Sequence, residues 1–184
     1  LSPWGDANVT IYDVDTQVWN GIVDNSGTVI HADIPDSHEV KITSNIPILV
    51  QHYSLSGSTY RDATPFYPST THWLYGVPSN YILIAGNPDT TVEWNISNGQ
   101  NGGTSLNTNG IYSTGGQGND GSAQARRVKA QQPIGVQQLA DSDGTEMTIF
   151  LPITELGTRF GSQQGVEYIA IAAPYNETTC TVYD

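Results

Sequence analysis

Tyr81-Ile82-Leu83-Ile84-Ala85-Gly86-Asn87-Pro88-Asp89-Thr90-Thr91-Val92-Glu93-Trp94-Asn95 decides the fold. A short apolar run rich in Ile stops at Gly-Asn-Pro-Asp, the residue types that turn a chain. A second run then alternates Val and Trp with Thr, Glu and Asn. This is the grammar of strands, and it extends in both directions. Strand-like segments lie at 8–13, 16–23, 27–34, 38–44, 47–54, 80–86, 90–97, 133–140, 145–151, 166–173 and 178–184. Turns are expected at Ser44-Asn45, Pro78-Ser79-Asn80, Asn87-Pro88-Asp89 and Asp141-Ser142-Asp143-Gly144. No window carries apolar residues at i, i+3, i+4 and i+7, and Ile153–Phe160 makes at most one helical turn. The expected fold class is all-β.

The same run also repeats. Tyr81-Ile82-Leu83-Ile84-Ala85 returns as Tyr168-Ile169-Ala170-Ile171-Ala172, and a Thr pair follows each, Thr90-Thr91 and Thr178-Thr179. Val40-Lys41 followed by Pro47-Ile48-Leu49-Val50-Gln51 matches Val128-Lys129 followed by Pro133-Ile134-Gly135-Val136-Gln137. Repetition at a long period means duplicated supersecondary units. The expected architecture is two pseudo-repeated antiparallel β-sandwich modules, Ig-like or jelly-roll-like, separate or merged, over 1–89 and 90–184. The second carries a Gly/Asn-rich loop at about 98–125. A third echo links the ends. Asn8-Val9-Thr10-Ile11-Tyr12-Asp13 resembles Thr179-Cys180-Thr181-Val182-Tyr183-Asp184, with Thr91–Asn95 as a looser copy. One boundary strand is therefore present three times for two modules, and is shared or exchanged. Val9, Ile11, Tyr12, Cys180, Val182 and Tyr183 become the candidate inter-subunit strand residues.

Leu151-Pro152-Ile153-Thr154-Glu155-Leu156-Gly157-Thr158-Arg159-Phe160, then Glu167–Ala172, then Asn176–Thr179, resemble the β-sandwich repeats of the family found at the N-terminal end of IgG-Fc-binding proteins and in many bacterial surface proteins. Phe66-Tyr67-Pro68 to Tyr75-Gly76 follows the pattern more loosely. The resemblance implies a fold and a surface-exposed setting, and it carries over no functional residue, because fold analogy does not transmit function.

Composition narrows the function. Only 13% of the 184 residues are charged, against roughly 25% in an average soluble domain, so Ser, Thr, Asn, Gln and Gly must make the surface. Six Lys+Arg against eighteen Asp+Glu leave a net charge of −12. Nucleic acids and anionic membranes call for clustered cations, and Arg126-Arg127-Val128-Lys129 is the one basic cluster. No apolar run reaches the length of a membrane span. The start at Leu1 is read as a processed or excised N-terminus, and the setting as extracellular or cell-surface.

Catalytic chemistry finds no constellation. His31, His38, His52 and His72 lack the spacing of a zinc protease, and no Gly-x-Ser-x-Gly elbow is present. Cys180, the single cysteine, reads as a buried core residue or as an intermolecular disulfide partner. No catalytic residue, resident metal or other cofactor is assigned. Calcium is the one ion that the oxygen-rich stretches could take, at Asp13, Asp15, Asp24, Asp33 and Asp36 and at Asp141–Gly144, and turn formation by Asp is the alternative. Asn8, Asn95 and Asn176 head N-x-Ser/Thr motifs and are candidate glycosylation sites. Trp4, Trp19, Trp73 and Trp94 could stack sugars or fill cores. Two functions follow as expectations. One is a structural subunit of an extracellular fibre that self-associates head to tail by strand addition. The other is a glycan- or protein-binding adhesin module.

Overall fold

The computed structural model describes residues 2, 5–24, 26, 38–56, 59–66, 68–76, 81–96, 99, 101–114, 126–139, 147–159, 173–175 and 177–182. The expected strand at 27–34 falls outside these residues, as does that at 166–173 apart from residue 173, which is not in a strand. Within them the chain is all-β, in antiparallel sheets.

Near the N-terminus, β1 (Ala7–Asp13), β2 (Thr16–Val23) and β3 (Val40–Ser44) form a three-stranded sheet in the order β2-β1-β3. Alternation sends Ala7, Val9 and Ile11 to one side, where with Val23 they make a small core flanked by Trp19, Ile42, Ile46 and Ile48. β1 is bonded on both edges, with Ile11 opposite Trp19 on one side and Ile42 on the other. β4 (Gln51–Ser56) and β5 (Thr59–Pro65) follow as a hairpin.

The larger part is a sandwich. Its five-stranded sheet has the order β14-β6-β11-β8-β9, built from β6 (Leu74–Gly76), β8 (Thr91–Ile96), β9 (Asn101–Ser105), β11 (Arg126–Ala130) and β14 (Leu151–Pro152). Its four-stranded sheet has the order β10-β7-β12-β13, built from β7 (Tyr81–Gly86), β10 (Ile111–Thr114), β12 (Ile134–Leu139) and β13 (Met147–Ile149). One core joins the two sheets. Leu74, Val92, Val128 and Ala130 from one face Ile82, Ile84, Ile134 and Val136 from the other, with Leu106 and Phe150 closing the rims. The turn at Asn87-Pro88-Asp89 is an inter-sheet corner and not a hairpin. Asp89 takes the left-handed conformation (φ 61°), and Thr90 N–H donates to Asn87 O.

Three expectations change. Strand pairing crosses the expected boundary at residue 89, because β6 and β7 are bonded to β11, β14, β10 and β12. The Gly/Asn-rich stretch at 98–125 is not all loop, since it contains β9 and β10. Gly102 lies directly beneath the Trp94 ring, where a Cβ would come within 2.8 Å of Trp94 Cε2. The neighbour supplies the apolar surface that glycine lacks, and a Gly-rich strand becomes stable. The third change is at the C-terminus: Thr178–Val182 is described and is not a strand. The expected helical turn is a short 3₁₀ turn at Ile153–Glu155.

Two correspondences bear on the repeat. β1 lies between its hairpin partner β2 and the later β3, as β8 lies between β9 and β11. Phe66 N–H donates to Val50 O (2.9 Å), and Phe150 N–H donates to Val136 O (3.0 Å). The adjoining hairpins pair Gln51 with Pro65 and Gln137 with Ile149.

Candidate functional site

The candidate inter-subunit residues divide into two groups. Val9 and Ile11 are 3% and 7% exposed in the small core, and Tyr12 is half-buried with Lys41 Nζ 5.1 Å from its ring centroid. With both edges of β1 already bonded in its own sheet, this strand has no edge to lend to a neighbour. The N-terminal half of the assignment is corrected on that ground. Cys180 and Val182 lie on the exposed C-terminal segment, Val182 being 68% exposed. The buried-core reading of Cys180 is therefore corrected: its segment has the alternation of a strand, but Cys180 is exposed and pairs with no strand among the described residues. Tyr183 is outside the described residues.

The small sheet has an outer strand. Among the described residues β3 ends its sheet, and its Val40 is 36% exposed. The corresponding strand of the sandwich, β11, is flanked on both sides, by β8 and β6, and its Val128 is 1% exposed. Unpaired edges of this kind are templates for another strand.

The basic cluster is consumed internally. Arg127 Cζ and Lys129 Nζ stand 4.5 and 4.7 Å from the Trp73 ring centroid. Lys129 also pairs with Glu93 at 2.6 Å, and Arg127 Nε donates to Asn95 Oδ1 at 2.8 Å. Arg126 points the other way, into the sandwich, and burial pulls its pKa down. The three described tryptophans share no face. Trp94 stacks on Tyr112 (5.7 Å, 14°) at the rim of the large core, Trp19 covers Gly21 in the small one, and Trp73 carries its two cations. Trp4 is not among the described residues.

Asp13 meets His38 at 2.6 Å, Asp15 meets Lys41 at 2.7 Å, and Asp24 accepts from Ser26 N–H and Oγ–H. These aspartates serve as turn and pairing groups. Among the described residues no three His, Cys, Asp or Glu side chains gather to hold a metal, and no helix is long and apolar enough to cross a membrane. Asp33, Asp36, His31 and Asp141–Gly144 fall outside the described residues. Of the glycosylation candidates, Asn8 is exposed, Asn95 is half-buried under Arg127, and Asn176 is outside the described residues.

One group escaped the sequence reading. Glu39 is 6% exposed, and its Oε2 has no hydrogen-bond partner among the described residues. It sits where the small sheet meets the sandwich: its N–H donates to Asn109 O (2.9 Å), its carbonyl accepts from Val14 N–H (3.0 Å), and its carboxylate lies over Gly110. Burial raises its pKa above the ordinary carboxylate range; Lys41 pulls it down and Asp15 pushes it up. A carboxyl with a raised folded-state pKa favours the fold while protonated. Its contribution is complete below the unfolded pKa and is lost as pH rises through the folded one. Glu39→Gln should therefore stabilise the protein at pH 7.5 by about 1 kcal/mol, the low end of the cost of an unsatisfied buried polar group. At pH 4 it should change little. Urea denaturation at the two pH values measures the difference, and equal effects at both would contradict this account.

Comparison with known protein families, curated proteins and solved structures finds no match to this chain.

Proposed function

We propose that this chain is a structural module of an extracellular fibre or surface stalk, which associates with further copies of itself by β-strand addition. The observation that carries the reading is Thr178–Val182. This segment shares the apolar/polar alternation of β1, with Thr181 in the place of Thr10, and it is exposed; among the described residues it joins no sheet, while β3 ends its own. Its near-copies β1 and β8 are both inner strands, each bonded on two sides. A third copy that pairs with no strand among the described residues is a candidate donor, and edge addition is a general route to assembly. A head-to-tail contact of this kind is heterologous and propagates unless its rotation closes. The shared arrangement of β2-β1-β3 and β9-β8-β11, and the matching hydrogen bonds at Phe66 and Phe150, support two modules of one plan. The extracellular setting rests on low charge density and exposed Asn8. The adhesin alternative is weaker, since the described tryptophans do not converge on one platform.

Electrostatics supplies the test. Copies carrying −12 each repel one another over a Debye length of about 8–10 Å. Main-chain bonds and buried side chains must hold the contact, so salt removes repulsion and little attraction. Light scattering on concentrated protein should show end-to-end oligomers that persist or grow when NaCl is raised to about 1 M. A chain that stays monomeric at every concentration and salt level would refute the proposal.

A further inference from the structure

Within that reading, the faces of the two segments point to a donor and an acceptor: we infer that Thr178–Val182 of one copy adds to the outer edge of β3 of a second copy. β3 supplies five residues and Thr178–Val182 supplies five. On β3, Ile42 packs against the small core, so Val40, two residues away, points to the same side. Lys41 and Thr43 face the opposite side. On the donor, Cys180 and Val182 alternate with Thr179 and Thr181 in the same way.

An antiparallel register with Val182 opposite Val40 and Cys180 opposite Ile42 extends the apolar side of the small core. The same register sets Thr179 opposite Thr43 and Thr181 opposite Lys41 on the solvent side. Threonine pairs and β-branched neighbours are favourable across strands. A shift by one residue would place Val182 among the polar groups, so the alternation excludes odd shifts, and this register pairs all five residues of β3 with residues 178–182. The type of pairing is already present in the fold. The copies of the donor sequence, β1 and β8, are antiparallel to β3 and β11 respectively. Of those two acceptors, β11 is filled on both sides, and β3 is paired on one side only among the described residues.

Cys180 is the only cysteine and is exposed, so it reports on the contact directly. Its reaction with Ellman's reagent should slow about tenfold between dilute protein and concentrations at which light scattering shows association, because a covered thiol is inaccessible to the reagent. A peptide of residues 176–184 with Cys180 replaced by Ser should restore the fast rate by competing for β3. Val182→Asp, at an exposed position, should leave the fold intact, abolish association and keep Cys180 fast at all concentrations. Association with undiminished Cys180 reactivity would overturn this contact while leaving self-assembly standing. A slow rate that is the same at every dilution would also overturn it, because the segment would then be covered within its own chain. A monomer with reactive Cys180 throughout would remove both the contact and the proposed function.

Discussion

Phe150→Ala should destabilise the protein by about 3–5 kcal/mol, the range for truncating a fully buried aromatic side chain. Phe150 is 1% exposed and follows the edge strand β13 of the four-stranded sheet, anchored by its N–H to Val136 O. Its ring crosses to the other sheet and covers Gly76 of β6, so close that any side chain at 76 would meet it. One ring therefore closes the sandwich rim between two short strands, β13 and β6, of three residues each. Domains of ordinary stability have only about 5–15 kcal/mol to lose, so the variant should unfold at a far lower denaturant midpoint. Gly76→Val displaces the same ring from the opposite side. The two substitutions should therefore be strongly non-additive, as expected for residues in contact. A loss under about 1 kcal/mol for Phe150→Ala would mean that the rim is closed by something else.

Ile11→Asp should be at least as damaging, costing about 4–5 kcal/mol, the upper end for point substitutions. Ile11 is a buried apolar residue of the central strand of the small sheet, between Trp19 and Ile42. A carboxylate there has no cation opposite it, and burial disfavours its charged form. The new carboxyl would have a raised folded-state pKa, so the penalty should shrink as pH falls towards 4 and grow above it. The loss must appear in dilute monomer, monitored through Trp19 fluorescence. An effect confined to the associated state would return Ile11 to an interface role. Val182→Asp is the counterpart, and at its exposed position it should change monomer stability by no more than about 0.5 kcal/mol.

The contrast between Ile11 and Val182 shows how far the sequence could be read. Both stand in nearly the same local pattern, and periodicity assigns both to strands. Alternation records which face would be apolar if a partner strand arrived, and it carries no information about whether one does. Runs with strong patterns and clear turns, such as Thr16–Val23 and Tyr81–Gly86, are strands as expected. β9 was hidden for the opposite reason. Asn101-Gly102-Gly103 has no apolar alternation, because its hydrophobic cover comes from Trp94 on the neighbouring strand. The division at residue 89 followed sequence similarity, but hydrogen bonding joins β6 and β7 to strands far downstream. Glu39 was invisible as a buried acid, since the loop at Asn107–Gly110, far along the chain, closes over it. For the candidate contact, sequence supplied the repeated strand and its two faces, and structure showed which copy was left outside.

The pairing of β6 with β14 also has a consequence for the order in which the protein takes shape. Leu74 must wait for Pro152, and Val128 for its partners on both sides, before the five-stranded sheet is whole. The small sheet needs only Ala7 to Ser44. During synthesis its strands leave the ribosome well before the sandwich can form, and short loops close faster than long ones. The nascent chain should thus acquire its N-terminal sheet early, with β3 at its edge among the described residues. Thr178–Val182, the last described stretch of the chain, emerges after all the strands of that sheet and of the sandwich. Under the proposed contact, each chain would thus make its acceptor strand early and its donor segment last, after the strands of the sandwich.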